Sequence, residues 1–158
     1  VDDFSTLQTD LVGDRLEYNS ANGNMLGGNR DMILTGDGQG SGTSEGVDEG
    51  SWSVYGHGGN GTFSLQYDGS EATNVLATNG LGSVDLTVNG GIAFQLGLAV
   101  GIQEGLGASF IVTVYTNNGT QTCTWEQKLP KTDVVYHIEF QDLPSCDFTQ
   151  VGAVEIII

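Results

Sequence analysis

Apolar and polar residues alternate along much of this chain with a period of two. Phe63-Ser64-Leu65-Gln66-Tyr67, Val84-Asp85-Leu86-Thr87-Val88 and Phe110-Ile111-Val112-Thr113-Val114-Tyr115 carry the clearest examples. On an extended backbone successive side chains point to opposite faces, so such runs predict half-buried β-strands. Shorter runs predict further strands at Met32–Thr35, Trp52–Tyr55, Val75–Thr78, Ile92–Val100, Thr120–Gln127, Val134–Phe140 and Ala153–Ile158. The breaks are Asp68-Gly69, Asn79-Gly80, Asn89-Gly90-Gly91 and Asn118-Gly119, residue pairs that accept the positive φ of tight hairpin turns. Helical spacing is scarce. About ten short antiparallel strands punctuated in this way predict an all-β chain, a jelly-roll β-sandwich. One domain over residues 1–158 suffices for it. The stretch Gly36–Gly50, rich in glycine and acid with little to bury, reads as an exposed loop.

Composition sharpens this picture. There are 25 glycines but only 2 prolines, which fits turn punctuation and not a disordered Pro/Gly linker. Four basic residues face 20 acidic ones, for a formal net charge of -16. Nucleic-acid affinity comes largely from Lys and Arg displacing condensed counterions, so a nucleic-acid partner is excluded. The same field disfavours an anionic membrane surface, favours solubility, and makes the compact state responsive to cations that relieve self-repulsion. No stretch is long and apolar enough to predict membrane insertion. Cys123 and Cys146 lack the CxxC spacing of zinc or redox sites. They predict a disulfide, worth roughly 2 to 4 kcal/mol and formed in an oxidising compartment. The opening Val1-Asp2-Asp3-Phe4 reads as a mature start after leader removal. Secreted or cell-surface localisation follows as an expectation.

Four stretches together resemble a group of secreted cyanobacterial and exosortase-associated (PEP-CTERM-type) extracellular proteins. They are Val1-Asp2-Asp3-Phe4, Leu26-Gly27-Gly28-Asn29-Arg30-Asp31, Leu65-Gln66-Tyr67-Asp68-Gly69, and Asp147-Phe148-Thr149-Gln150-Val151-Gly152-Ala153-Val154-Glu155. Their order spans the domain. The resemblance implies a jelly roll similar to galactose-binding-like modules, and an extracellular role. The chain departs from the pattern at Ile158, where no Pro-Glu-Pro motif or basic tail follows, so the resemblance does not extend to anchoring. Resemblance to calcium-stabilised jelly rolls implies calcium as cofactor, held by Asp2 and Asp3 with Asp147, and separately by Asp37, Asp48 and Glu49. Calcium takes six to eight oxygen ligands, which Asp/Gly-rich loops supply. The EF-hand ladder is absent.

Candidate chemistry is otherwise sparse. His57 and His137 lie in no nucleophile or zinc motif. Glu104, Glu126 and Glu139 carry nothing that separates a glycosidase pair from solvated acids. We therefore expect no enzyme activity and no catalytic residue. Trp52 and Tyr55, beside Gly-rich loops, are candidate stacking platforms for carbohydrate, whereas Trp125 alternates with Cys123 and reads as core. Asn60 and Asn118 head glycosylation sequons at predicted turns. The apolar strand ending in Ile156, Ile157 and Ile158 offers an edge for pairing with another copy, against the simpler reading that it completes its own sandwich. Two functions emerge as expectations. The first is a non-enzymatic surface or matrix protein partnered with itself as a homopolymer or filament; the alternative is a calcium-stabilised module binding extracellular polysaccharide.

Overall fold

The computed structural model describes residues 8–13, 17–23, 25–36, 43–48, 51–56, 61–70, 75–98, 109–129 and 134–158. Among the described residues run eleven strands: β1 (Gln8–Gly13), β2 (Glu17–Asn22), β3 (Asn29–Gly36), β4 (Thr43–Asp48), β5 (Ser51–Gly56), β6 (Gly61–Tyr67), β7 (Ala93–Leu98), β8 (Ser109–Thr116), β9 (Gln121–Lys128), β10 (Val134–Glu139) and β11 (Val151–Ile157). Helical structure among them is limited to single 3₁₀ turns at Leu26–Gly28, Val88–Gly90 and Phe140–Asp142. Every strand pair is antiparallel.

Three sheets result. The largest has six strands in the order β2-β3-β6-β11-β8-β9, and two smaller sheets have the orders β10-β7 and β1-β4-β5. From β6 onward the chain shuttles between two sheets: β7 and β10 form the pair, while β8, β9 and β11 return to the six-stranded sheet. Period-two alternation supplies the glue. Met32, Leu34, Phe63, Leu65, Phe110, Val112, Val114, Val154 and Ile156 are buried on one face of the large sheet. Ile138, Phe94, Leu96 and Tyr136 of the β7–β10 pair pack against them. Burying each such side chain contributes about 1.5 to 3 kcal/mol. Phe140 stacks on Phe148 with centroids 3.9 Å apart, and both meet Phe94 edge to face. Arg30, fully buried, donates through Nε to Gln8 Oε1 at 2.9 Å, while Gln8 Nε2 donates to the Arg30 carbonyl. This exchange ties β1 to β3.

Two expected strands are absent. Val84 makes a single bridge to Val151, and the chain then turns. Asp85 is the cause: its Oδ1 accepts from both the amide and the hydroxyl of Thr87, a local bond that competes with ladder formation. Val75–Thr78 is likewise bend and turn, because the Ala77 amide donates to buried Asp68 Oδ2 at 2.7 Å. Conversely, β4 lies inside Gly36–Gly50, which reads as a loop from sequence. Its register runs from Thr43 opposite Gly56 to Asp48 opposite Ser51, so backbone pairing with β5 and β1 makes a strand of a segment poor in apolar residues. β1 and β2 likewise form where the sequence pattern predicts no strand. Phe140 belongs to a 3₁₀ turn and not to the strand that precedes it.

The segment from Thr78 to Leu86 is laid flush against the start of β11. Leu81 donates to the Gly152 carbonyl, Val84 and Val151 exchange bonds, and Leu86 donates to the Phe148 carbonyl. Gly152 sits in a bulge between Val151 and Ala153, and a side chain there would drive its Cβ into the Thr78 carbonyl and to 2.9 Å from Asn79 Cα. Gly152→Ala should therefore lower stability by about 1 to 3 kcal/mol, as overpacking does. Gly97→Ala, with open space around it, should stay within about 0.5 kcal/mol of the parent. Urea unfolding of the two variants measures both.

Candidate functional site: the outer face and the open edge of the large sheet

The alternation that fills the core puts a second side-chain set on the outer face of the six-stranded sheet. Register aligns Ser20, Asp31, Gln66, Glu155, Thr113 and Thr124 in one row across it. Glu155, half-buried at the middle, accepts from the Ser64 hydroxyl at 2.9 Å and from Gln66 Nε2 at 2.7 Å, both on Oε1. The Tyr115 hydroxyl donates to Oε2 at 3.5 Å. These donors let a carboxylate sit in a strand otherwise apolar, Val154-Glu155-Ile156. Gln66 Oε1 is buried without a hydrogen-bond partner. Burial pushes the Tyr115 phenol above its ordinary pKa, and the Glu155 charge and hydrogen bond push it further in the same direction.

Toward β9 the same face opens to solvent. Thr122, Thr124, Glu126 and Lys128 are exposed, and β9 closes the sheet order with β8 as its only partner strand among the described residues. The β8–β9 hairpin turns at Asn118-Gly119, both at positive φ (57° and 76°), as the paired central positions of a type I′ turn demand. The core-facing side of β9 is fixed by the disulfide Cys123–Cys146, with Cα atoms 5.8 Å apart. Gln121 Nε2 donates to the Ser145 carbonyl beside it. Trp125 meets Phe110 and Tyr136 edge to face and is half-buried against the core, the environment expected from its alternation with Cys123.

The expected sites fare differently. The cysteine pair is joined as read from the sequence. Asp2, Asp3, Asp37, Glu49 and Asn60 lie outside the described residues, as do His57 and Glu104. Asp48 ends β4, and Trp52 and Tyr55 lie on β5, opposite Val47 and Ser44. Asp147 is occupied locally: Oδ1 accepts from the Thr149 amide and hydroxyl, and Oδ2 from Gln150 Nε2. The Thr149 hydroxyl, then its amide, hold the Asp147 carboxyl below its ordinary pKa. Among the described residues no three His, Cys, Asp or Glu side chains converge as a metal site. Asn118 is exposed at its turn, accepting from the Ser83 hydroxyl at 3.3 Å. His137 is exposed on β10.

The pairing edge expected at Ile156–Ile158 does not exist. Ile156 pairs with Leu65 on one side and Val112 on the other, and Ile157 with Ser64 and Ile111. Ile158 exchanges backbone bonds with Phe63. An internal strand has no free ladder for another copy.

No family model, curated protein or solved structure matches this chain. Sequence reasoning missed Glu155, Ser64 and Gln66, although the alternation of Phe63–Tyr67 already placed the latter two opposite the core. It missed β9 as an edge because strand order is set by long-range pairing. Glu155→Gln should bring the Tyr115 titration down toward 10.0, the ordinary value. Because that pKa is raised in the folded state, Tyr115 contributes stability below about pH 10 that is lost as pH rises through the folded pKa. Phenolate absorbance against pH, parent minus Tyr115→Phe, isolates this group in both backgrounds.

Proposed function

We propose that this chain is a non-enzymatic structural protein of an extracellular surface or matrix, a jelly-roll β-sandwich that associates with copies of itself through an open sheet edge. The observation that carries this reading is β9: eight residues long, paired on one side among the described residues, its outward Thr122 and Thr124 exposed, and charged only toward one end at Glu126 and Lys128. A long edge without proline or central charge is a template for strand addition. The disulfide is compatible with a non-cytoplasmic protein, and no helix among the described residues is long and apolar enough to cross a membrane. The net charge of -16 keeps copies apart until cations screen it, which makes calcium the favoured trigger. The likeness to exosortase-associated surface proteins supports the same setting.

A calcium-stabilised carbohydrate-binding module is the second reading, favoured by the outer face. There Glu155 and half-buried Tyr115 offer an acceptor and an aromatic ring to a hydroxyl-rich ligand. Electron microscopy of the purified protein with calcium and with chelator separates the two. Ordered filaments or sheets that form with calcium and disperse on chelation are expected. Dispersed monomers in both conditions would sink self-assembly, and binding on a glycan array, reduced by Glu155→Gln, would then establish the second reading.

A further inference from the structure

We infer that the outer face around Glu155 and Tyr115 takes a glycan carrying free amino groups, with a protonated sugar amine on the Glu155 carboxylate and a sugar ring along Tyr115. The inference rests on the outer-face reading and not on edge assembly, and it adds the class of glycan. Glu155 is half-buried, and its partners are the Ser64 hydroxyl and Gln66 Nε2, both on Oε1, and the Tyr115 hydroxyl at 3.5 Å on Oε2. All three donors are neutral. The last lies at the limit of hydrogen-bond distance, so Oε2 keeps lone pairs to offer. Among the described residues the same-face neighbours Gln66, Ser64, Thr113, Tyr115, Ala153 and Ile157 bring no positive charge. Gln66 Oε1, a second acceptor in the same row, is buried with no hydrogen-bond partner. The site is rich in acceptors and short of donors. An ammonium group carries three donors, no acceptor and the missing charge.

Charge selects the ligand, and the surface selects its carrier. Four basic residues against 20 acidic ones repel polymers bearing uronate or sulfate and draw cationic ones. Glu126, also on the outer face, has Lys128 two residues further along the same side of β9; Glu155 has no such neighbour on β11. Tyr115 pairs with Ala153, and its hydroxyl reaches Glu155 two residues along β11. The ring therefore runs diagonally over the β8–β11 ladder and, half-buried, keeps part of its surface open to solvent. Thr122 stands opposite Tyr115 and Thr124 opposite Thr113, both exposed. An aromatic ring, a carboxylate at its tip and two hydroxyls beside it suit the C–H face, the amine and the hydroxyls of an amino sugar. A lysine-rich peptide would meet the carboxylate but make no use of the threonine hydroxyls.

Calorimetric titration of the whole chain with a glucosamine oligosaccharide, and with its N-acetylated form of equal length, tests this. At about pH 6 amine and carboxylate are both charged, and about 0.15 M salt screens the general field. The free-amine form should bind about tenfold more tightly than the N-acetylated one, and Glu155→Gln should remove the difference. Glutamine keeps an acceptor for Ser64 and Gln66, so the fold is retained. Asp142→Asn, an equal change of charge at an exposed position in the 3₁₀ turn after β10, should leave binding within about twofold of the parent. Tyr115→Leu should weaken both forms, and Tyr115→Phe should keep the preference for the free amine. Equal losses in Glu155→Gln and Asp142→Asn would overturn the site in favour of net charge alone. The N-acetylated form bound as tightly as the free amine would overturn the amine while leaving the outer-face reading intact. Oligolysine bound as tightly, with the same dependence on Glu155, would overturn the glycan. Failure of both oligosaccharides to bind would overturn this inference and the outer-face reading together.

Discussion

The register of β11 between β6 and β8 is the constraint on which the rest depends. In that strand Val154 and Ile156 point into the core while Glu155 points out, and a slip by one residue would exchange them. The carboxylate would then enter an apolar interior, and two aliphatic side chains would replace it beside the polar groups of Ser64 and Gln66. Val154 lies between Tyr67 and Val114, and Ile156 between Leu65 and Val112. A correct register thus aligns the core row and the polar row together. Ser64 and Gln66 reinforce the choice, because both donate to Glu155 only when it sits on their face. The disulfide and the aromatic cluster hold the flanks of a sheet whose middle is fixed by this strand.

A second constraint is close backbone approach. The segment from Ala77 to Leu86 is hydrogen-bonded to Asp68, Gly152, Val151 and Phe148, and glycine at Gly80 and Gly152 leaves room for neighbouring backbone that no side chain could share. Sequence alternation at Val84–Val88 resembles a strand, yet Asp85 and Thr87 divert it. Period two reports only where side chains would point if the backbone were extended, and short polar side chains that bond their own neighbours can prevent that extension.

The strongly alternating strands β6, β8, β10 and β11 were legible from sequence, as were the hairpin turn at Asn118-Gly119 and the pairing of Cys123 with Cys146. β1, β2 and β4 were not, because they are poor in apolar residues and owe their strand character to backbone pairing. The place of each strand in its sheet was also hidden. Ile156–Ile158 resembles an exposed apolar edge in one dimension, and only the order β6-β11-β8 turns it into the interior. The acidic balance, legible from composition alone, bears on association through screening and not on the fold.

Chain order and sheet order disagree in a way that matters in time. The strand that joins β2-β3-β6 to β8-β9 is the last of the eleven in sequence. Until it is available the large sheet exists as two unjoined parts, each with an edge and an apolar face exposed, and neither part can reach the pairings that close the core. Contacts of such long sequence separation form slowly. A growing chain of this design cannot complete the large sheet until β11 has been made, so the sheet is finished only after all the other ten strands are in hand.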